Sequence, residues 1–170
     1  MNAKLIAYRL ISFILLPIAA LNAFGIISSL PQAVNSALTL FGAFLGATVV
    51  VYTFASFIFF IKGVQNGKTL PAYVKELIKI NGYIDVVLGV LAITGAAILL
   101  LSPSIEEKWI DSLVQAWQAN STGNVNRDTV VRVAHRLSII GITYFALLIV
   151  HIVISLQLVK KHSNLFVAAN

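Results

Sequence analysis

The chain has 170 residues, of which 59% are hydrophobic and 11% are charged, and it contains no cysteine. Soluble domains carry about a quarter charged residues, so the composition excludes an ordinary soluble fold, and the lack of cysteine excludes disulfides, thiolate catalysis and iron–sulfur clusters. The net charge of +6 is better judged by where the basic residues lie relative to a membrane, and it predicts no nucleic-acid partner.

Four apolar segments are each long enough to cross a lipid bilayer, whose hydrocarbon core of about 30 Å needs about 20 helical residues. These segments cover approximately residues 5–30, 38–61, 84–101 and 137–159. We therefore predict an all-α fold, namely an integral membrane four-helix bundle that forms a single transmembrane domain over residues 1–170. We expect this domain to have the lipid bilayer as a partner.

The first segment contains Pro17, which lacks an amide donor and is expected to kink a helix that the membrane still tolerates. Lys4 and Arg9 before an apolar stretch are also typical of a cleaved signal peptide. We expect the segment to be retained as a span, because its apolar stretch is longer than the core of a signal peptide.

The second segment places Gly42 and Gly46 four residues apart. Small residues at this spacing allow two membrane helices to approach closely. We interpret them as a helix-packing site, either for other membrane subunits or for a second copy of the chain.

The connection to the third segment contains a turn signal at Asn66-Gly67 and then Pro71, which is expected to open a short helix carrying Lys75 and Lys79. Two interpretations of these lysines are open, a solvated basic end of the third helix and a site for an anionic lipid. We favour the first, because specific lipid sites usually have a denser basic cluster.

The loop at 102–136 carries two helix-start signals. Ser104 and Glu107 form a capping box, which predicts a helix from the residue after the serine. Asn126 or Asp128 is expected to cap a long final helix that starts outside the membrane and continues as the fourth span.

The helix predicted inside this loop is amphipathic, with Trp109 and Trp117 on its apolar side. Tryptophan suits the headgroup region of a bilayer, so we predict a short interfacial helix anchored by these two residues. An apolar face of this kind also suits contact with a partner subunit.

Basic residues near the span ends predict the orientation of the bundle, because lysine and arginine remain preferentially in the cytoplasm. One side carries Lys4, Arg9, Lys62, Lys68, Lys75, Lys79, Lys160 and Lys161, and the other carries Lys108, Arg127, Arg132 and Arg136. We therefore predict that the N and C termini are both cytoplasmic.

Two ionisable groups, His151 and Asp85, fall inside the predicted spans, where charge is costly and therefore suggests function. His151 is expected near the middle of the membrane, with Tyr52, Thr53 and Thr94 at similar depth as partners. Asp85 is expected near the cytoplasmic boundary, wetted and paired with Lys79, or else in a proton or ion pathway with His151.

No phosphate-binding loop, zinc-protease motif or serine-hydrolase elbow is present, so we expect neither catalytic residues nor a metal site. The favoured function is a non-catalytic accessory, anchor or scaffold subunit of a membrane complex, and we expect no cofactor. One alternative is an electron-transfer subunit in which His151 ligates haem b or serves a quinone. Because the other histidines cannot oppose His151 within one chain, bis-histidine ligation of haem would need a second copy or a partner. The other alternative is a small oligomeric transporter or channel that uses Asp85 and His151.

Overall fold

A computed structural model describes residues 3–33, 36–120 and 126–167 of the chain. Its α-helices are α1 (Ala3–Ala33), α2 (Ala37–Ile58), α3 (Ala72–Leu101), α4 (Pro103–Asn120) and α5 (Arg127–Lys161). A π-helix, Phe59–Gln65, continues α2, and a 3₁₀ turn, Ser163–Leu165, follows α5. The strands β1 (Leu70–Pro71) and β2 (Phe166–Val167) pair in parallel. The predicted all-helical class is therefore confirmed for the described residues.

Among the described residues, four stretches of helix are long and apolar enough to cross a membrane, and they cover the four predicted segments except for residue 38. They are Lys4–Pro31, Thr39–Gln65, Ala72–Leu101 and Arg127–Lys161. The third begins well before the predicted boundary at residue 84, because the charged side chains of Lys75, Glu76 and Lys79 end the apolar run without interrupting the helix. The short helix predicted after Pro71 is therefore the first part of α3.

The long final helix has the predicted cap. The side-chain oxygen of Asn126 accepts hydrogen bonds from the backbone amides of Asp128 at 2.9 Å and Thr129 at 3.4 Å. Asn126, and not Asp128, is therefore the residue that caps α5. The 35 residues of α5 extend for about 52 Å, which exceeds the thickness of a hydrocarbon core.

The start of α4 differs from the prediction. The helix begins at Pro103, and the carbonyl of Ser102 accepts hydrogen bonds from the amides of Ile105 and Glu106. Proline is favoured at the first helical position because its missing amide would have no partner there. Ser104 is thus already inside the helix, and the predicted capping box is wrong.

The chain divides into two compact units, Met1–Val87 with Leu148–Asn170, and Leu88–Leu147. In the first unit α1 packs against α2 through a buried stripe that includes Tyr8, Leu15 and Ala19. Residues spaced by seven and then four lie on one face of a helix, so this stripe forms the contact side of α1.

The second unit contains α4 and the beginning of α5. Ile110 of α4 is buried against Val130 and Ala134 of α5. The same two helices are joined by a hydrogen bond of Glu106 with His135 at 2.7 Å, and by an exposed ion pair of Asp111 with Arg127 at 3.2 Å. Part of the apolar side of α4 is therefore covered within the chain.

The π-helix and the segment after α5 pack together in the first unit. Phe166 stacks on Phe59 with ring centroids 5.3 Å apart, and the backbone bridge joins Leu70 to Phe166. Gly67 adopts a positive φ of 63°, which confirms the turn predicted at Asn66-Gly67. At Gly63 an added Cβ would lie only 3.2 Å from side-chain atoms of Leu70 and Phe59.

Gly63→Ala is expected to lower the free energy of unfolding by about 1–2 kcal/mol, because the new methyl group overfills this packed corner. Thermal unfolding of the detergent-solubilised protein, followed by far-UV circular dichroism, measures the effect. Gly95→Ala is the matched control, since no described atom outside its own helix lies within 4 Å of its added Cβ. Equal stability of the two variants would contradict the prediction.

Candidate functional site

The first unit contains a buried polar cluster built from three helices. Its side chains recur every four residues, which places those of each helix on a single face. They are Tyr8 and Ser12 on α1, Thr48, Tyr52 and Ser56 on α2, and His151 and Ser155 on α5. Asp85 of α3 joins this cluster through Thr48.

His151 is 1% exposed and lies at the centre of the cluster. Its Nδ1 lies 2.8 Å from the Tyr52 hydroxyl, and its Nε2 lies 2.8 Å from Oγ of Ser12. The ring of Tyr8 stacks on the imidazole, with centroids 4.3 Å apart. The predicted partner Tyr52 is confirmed, whereas Ser12 takes the place given to Thr53 and Thr94.

One tautomer of His151 satisfies both hydrogen bonds of its ring. In this assignment Ser12 donates its hydroxyl proton to the backbone carbonyl of Tyr8 at 2.8 Å, and its oxygen accepts from Nε2–H of His151. The bare Nδ1 then accepts from the Tyr52 hydroxyl. With this tautomer the Tyr52 hydroxyl donates to His151, His151 donates to Ser12, and the imidazole is neutral.

The contact of Ser12 with His151 resembles a nucleophile and its general base in distance, but the donor and acceptor are reversed. In a hydrolase the serine hydroxyl donates to the histidine, which then removes the proton. Here Ser12 donates to the carbonyl of Tyr8 and accepts from the imidazole. In this assignment the contact is a structural hydrogen bond.

Metal ligation by His151 would require one of its two hydrogen bonds to break, because both ring nitrogens are occupied. Among the described residues no group of three or more histidine, cysteine, aspartate or glutamate side chains is arranged to hold a metal ion. His135, the other histidine of α5, lies in the second unit and contacts Glu106.

Asp85 is fully buried, which corrects the prediction of a wetted carboxylate. Its Oδ1 lies 2.7 Å from the Thr48 hydroxyl, and its Oδ2 has no hydrogen-bond partner among the described residues. Nζ of Lys79, the predicted partner, lies 3.6 Å from Oε1 of Glu76 instead. Because α3 begins at Ala72, Asp85 is several turns inside the helix, and a lysine six residues earlier points to a different side.

The Thr48 hydroxyl has two short contacts, one with Asp85 and one with the backbone carbonyl of Leu45, each at 2.7 Å. A hydroxyl has one proton, so it can donate to only one of these oxygens. Both contacts become hydrogen bonds if Asp85 carries a proton and donates it to Thr48. A neutral carboxyl group at Asp85 therefore satisfies both contacts.

Asp85 and His151 do not share a hydrogen bond. They are linked along α2, since Thr48, the partner of Asp85, precedes Tyr52, the partner of His151, by one helical turn. Sequence reasoning missed Ser12, Tyr8 and Thr48. The signal available for finding them was the repeated four-residue spacing of polar residues inside apolar helices.

The two glycines predicted as a packing site have different surroundings. An added Cβ at Gly46 would lie 3.0 Å from Ile26 of α1, so this glycine permits the contact of α1 with α2 inside the chain. At Gly42 no described atom lies within 4 Å of the corresponding position. Gly42 instead lines a shallow groove of about 380 Å³ between α1 and α2, together with Gly25, Ser29 and Ala43.

The two tryptophans of α4 are exposed, Trp109 at 38% and Trp117 at 46%. The neighbouring Ile110 is buried against α5, so the apolar side of α4 is shared between an internal contact and an open surface. The role of the two tryptophans as membrane anchors stays a prediction.

Comparison with known proteins finds no counterpart. No family model, curated protein or solved structure matches the chain. Its function is therefore inferred from the contacts, burial and charges of the described residues.

Proposed function

We propose that the protein is a multi-pass integral membrane protein that acts without catalysis, as an accessory or scaffold subunit of a membrane complex. Its four long apolar helices would form a bundle across the bilayer, with α4 at the outer surface. The hydrogen bonds of His151 support a structural role for the polar cluster, because they join α1, α2 and α5 to one another.

The proposed orientation places both termini in the cytoplasm. Nζ of Lys4 on α1 lies 3.4 Å from Oε1 of Gln157 on α5, so the start of the first span lies beside the end of the last. The bridge of Leu70 with Phe166 brings the connection between α2 and α3 to the same end. The basic residues of these segments are therefore gathered at one end of the first unit, which agrees with their retention in the cytoplasm.

The difference between Gly46 and Gly42 carries the scaffold proposal. Gly46 is used for packing within the chain, whereas the groove around Gly42 presents small side chains on the outer surface. Small residues on a membrane helix favour close approach of another helix, since lipid provides no hydrophobic force for association and packing must supply it. We assign this groove to a membrane-spanning helix of another subunit.

Gly42→Leu is expected to dissociate the complex without unfolding the protein, because the leucine fills the groove and its Cβ has no described atom within 4 Å. Native gel electrophoresis of mildly solubilised membranes should show wild type in a complex larger than the monomer, and the variant at a smaller size. Phe44→Leu is the matched control, since Phe44 is 59% exposed and lies on another side of α2. Monomeric wild type, or an unchanged complex in Gly42→Leu, would contradict the proposal.

A proton-linked transporter is the second candidate. The observation that favours it is the buried carboxyl of Asp85, which has one oxygen without a hydrogen-bond partner among the described residues. A carboxyl group inside a membrane helix commonly belongs to a proton or ion pathway. The electron-transfer alternative has no such support, because both ring nitrogens of His151 are already hydrogen-bonded.

A further inference from the structure

A groove of about 490 Å³ lies between the first part of α3 and the end of α5, within the first unit. We call it the lysine groove, since Lys75, Lys79 and Lys160 line it together with the polar side chains of Tyr83, Gln157 and Ser163. Two helices and the turn after α5 thus bring three ammonium groups and several hydrogen-bonding groups around one cavity.

The positive charge of the lysine groove is only partly balanced. Lys79 has an exposed ion pair with Glu76 at 3.6 Å, and such pairs bind weakly. The other acidic residue of this unit, Asp85, is fully buried and contacts Thr48. The groove therefore carries a net positive charge and is suited to an anion.

The walls of the groove are held in place by contacts outside it. The bridge between β1 and β2 fixes the segment after α5 to the beginning of α3. Phe166 of this segment stacks on Phe59, and the ammonium group of Lys75 lies 6.0 Å from the Phe166 ring. Lys160 and Ser163 are thereby held opposite Lys75 and Lys79.

We propose that the lysine groove binds a phosphate group, as carried by the headgroup of an anionic lipid. This inference rests on the proposed insertion of the chain in a membrane, which would place the groove at the cytoplasmic boundary. Leu156 and Val159 form an apolar part of the lining that suits the glycerol and upper acyl region of a lipid. Lysine stems lie along such surfaces while their ammonium groups reach the phosphate.

The test is a titration of the purified, detergent-solubilised protein with dioctanoyl phosphatidylglycerol, followed by thermal unfolding. Dioctanoyl phosphatidylcholine is the zwitterionic comparison, and inorganic phosphate is the soluble source of the same group. Wild type should be stabilised by phosphatidylglycerol. The variant Lys75→Gln/Lys79→Gln/Lys160→Gln should bind it on the order of 100-fold more weakly, at about fivefold for each lysine.

The matched control is Lys62→Gln/Lys68→Gln/Lys161→Gln, which removes the same charge from the same end of the unit without altering the groove. Its affinity should remain within about threefold of wild type, because charges outside the groove act only through a screened field. If the groove variant does not fold, Lys160→Gln alone replaces it, since Lys160 is exposed at the end of α5.

Stabilisation by phosphatidylglycerol that is lost only in the groove variant supports the proposal with a lipid as the source. The same pattern with inorganic phosphate supports it with a soluble phosphate as the source. Equal losses in both triple variants, no loss in the groove variant, or equal stabilisation by phosphatidylcholine would overturn it. Membrane insertion is checked separately by resistance to alkaline carbonate extraction, and complex formation by the Gly42→Leu experiment. A failure of the proposed function can therefore be told apart from a failure of the proposed lipid site.

Discussion

Replacing His151 by alanine is expected to lower the free energy of unfolding by about 3 kcal/mol. The substitution leaves a cavity beside the ring of Tyr8 and removes the hydrogen-bond partner of Tyr52 and of Ser12. Because all of these groups are buried, water cannot replace the lost bonds without entering the helix contact. Unfolding by sodium dodecyl sulfate in mixed micelles, followed by circular dichroism, measures the change.

His162→Ala is the control for this experiment, since His162 is only half-buried and should contribute no more than about 0.5 kcal/mol. Equal stability of the two alanine variants would show that the polar cluster does not hold the helices together. The absorption spectrum of the reduced wild-type protein belongs to the same test. A b-type haem band that disappears in His151→Ala would replace the scaffold proposal with the electron-transfer alternative.

Thr48→Val is expected to destabilise the protein by about 2 kcal/mol, whereas Asp85→Asn should change the free energy of unfolding by less than about 1 kcal/mol. Valine removes the hydrogen-bond partner of the buried Asp85. Asparagine preserves it, because the amide donates to Thr48 as a protonated carboxyl would, and Thr48 still donates to Leu45. Unfolding in mixed micelles measures both variants.

Infrared spectroscopy gives an independent readout of Asp85. A carbonyl stretch of a protonated carboxyl group, present in wild type and absent in Asp85→Asn, is the expected result. Asp128→Asn is the matched control, since Asp128 is exposed at the start of α5 and should leave this band unchanged. If Asp85→Asn is strongly destabilised and no such band is seen, Asp85 is ionised. The assignment in which Asp85 donates a proton to Thr48 would then be wrong.

Hydropathy located the four long apolar helices because the length of an apolar run is encoded directly in the sequence. It misplaced the start of α3, since Lys75 and Lys79 lower the hydropathy while their backbone amides continue the helix. The capping pattern at Ser104 misplaced the start of α4, where Pro103 proved a stronger signal.

The candidate site was predictable only in part. The contact of His151 with Tyr52 was predicted because the depth of each residue in the membrane can be counted from the ends of its span. The contact with Ser12 depends on how α1 is rotated about its axis, which hydropathy does not define. The burial of Asp85 was missed for the same reason, since a residue near a boundary can face either water or a neighbouring helix.

The bridge between β1 and β2 has a consequence for the order of events during synthesis. β2 follows all five described α-helices in the chain, so the ribosome delivers it after the last of them. Segments that are made earlier can insert and pack before this strand exists. The lysine groove needs Lys160 and Ser163, so it can form only after α5 has been made, and a ligand that prefers it would select chains in which this part has already docked.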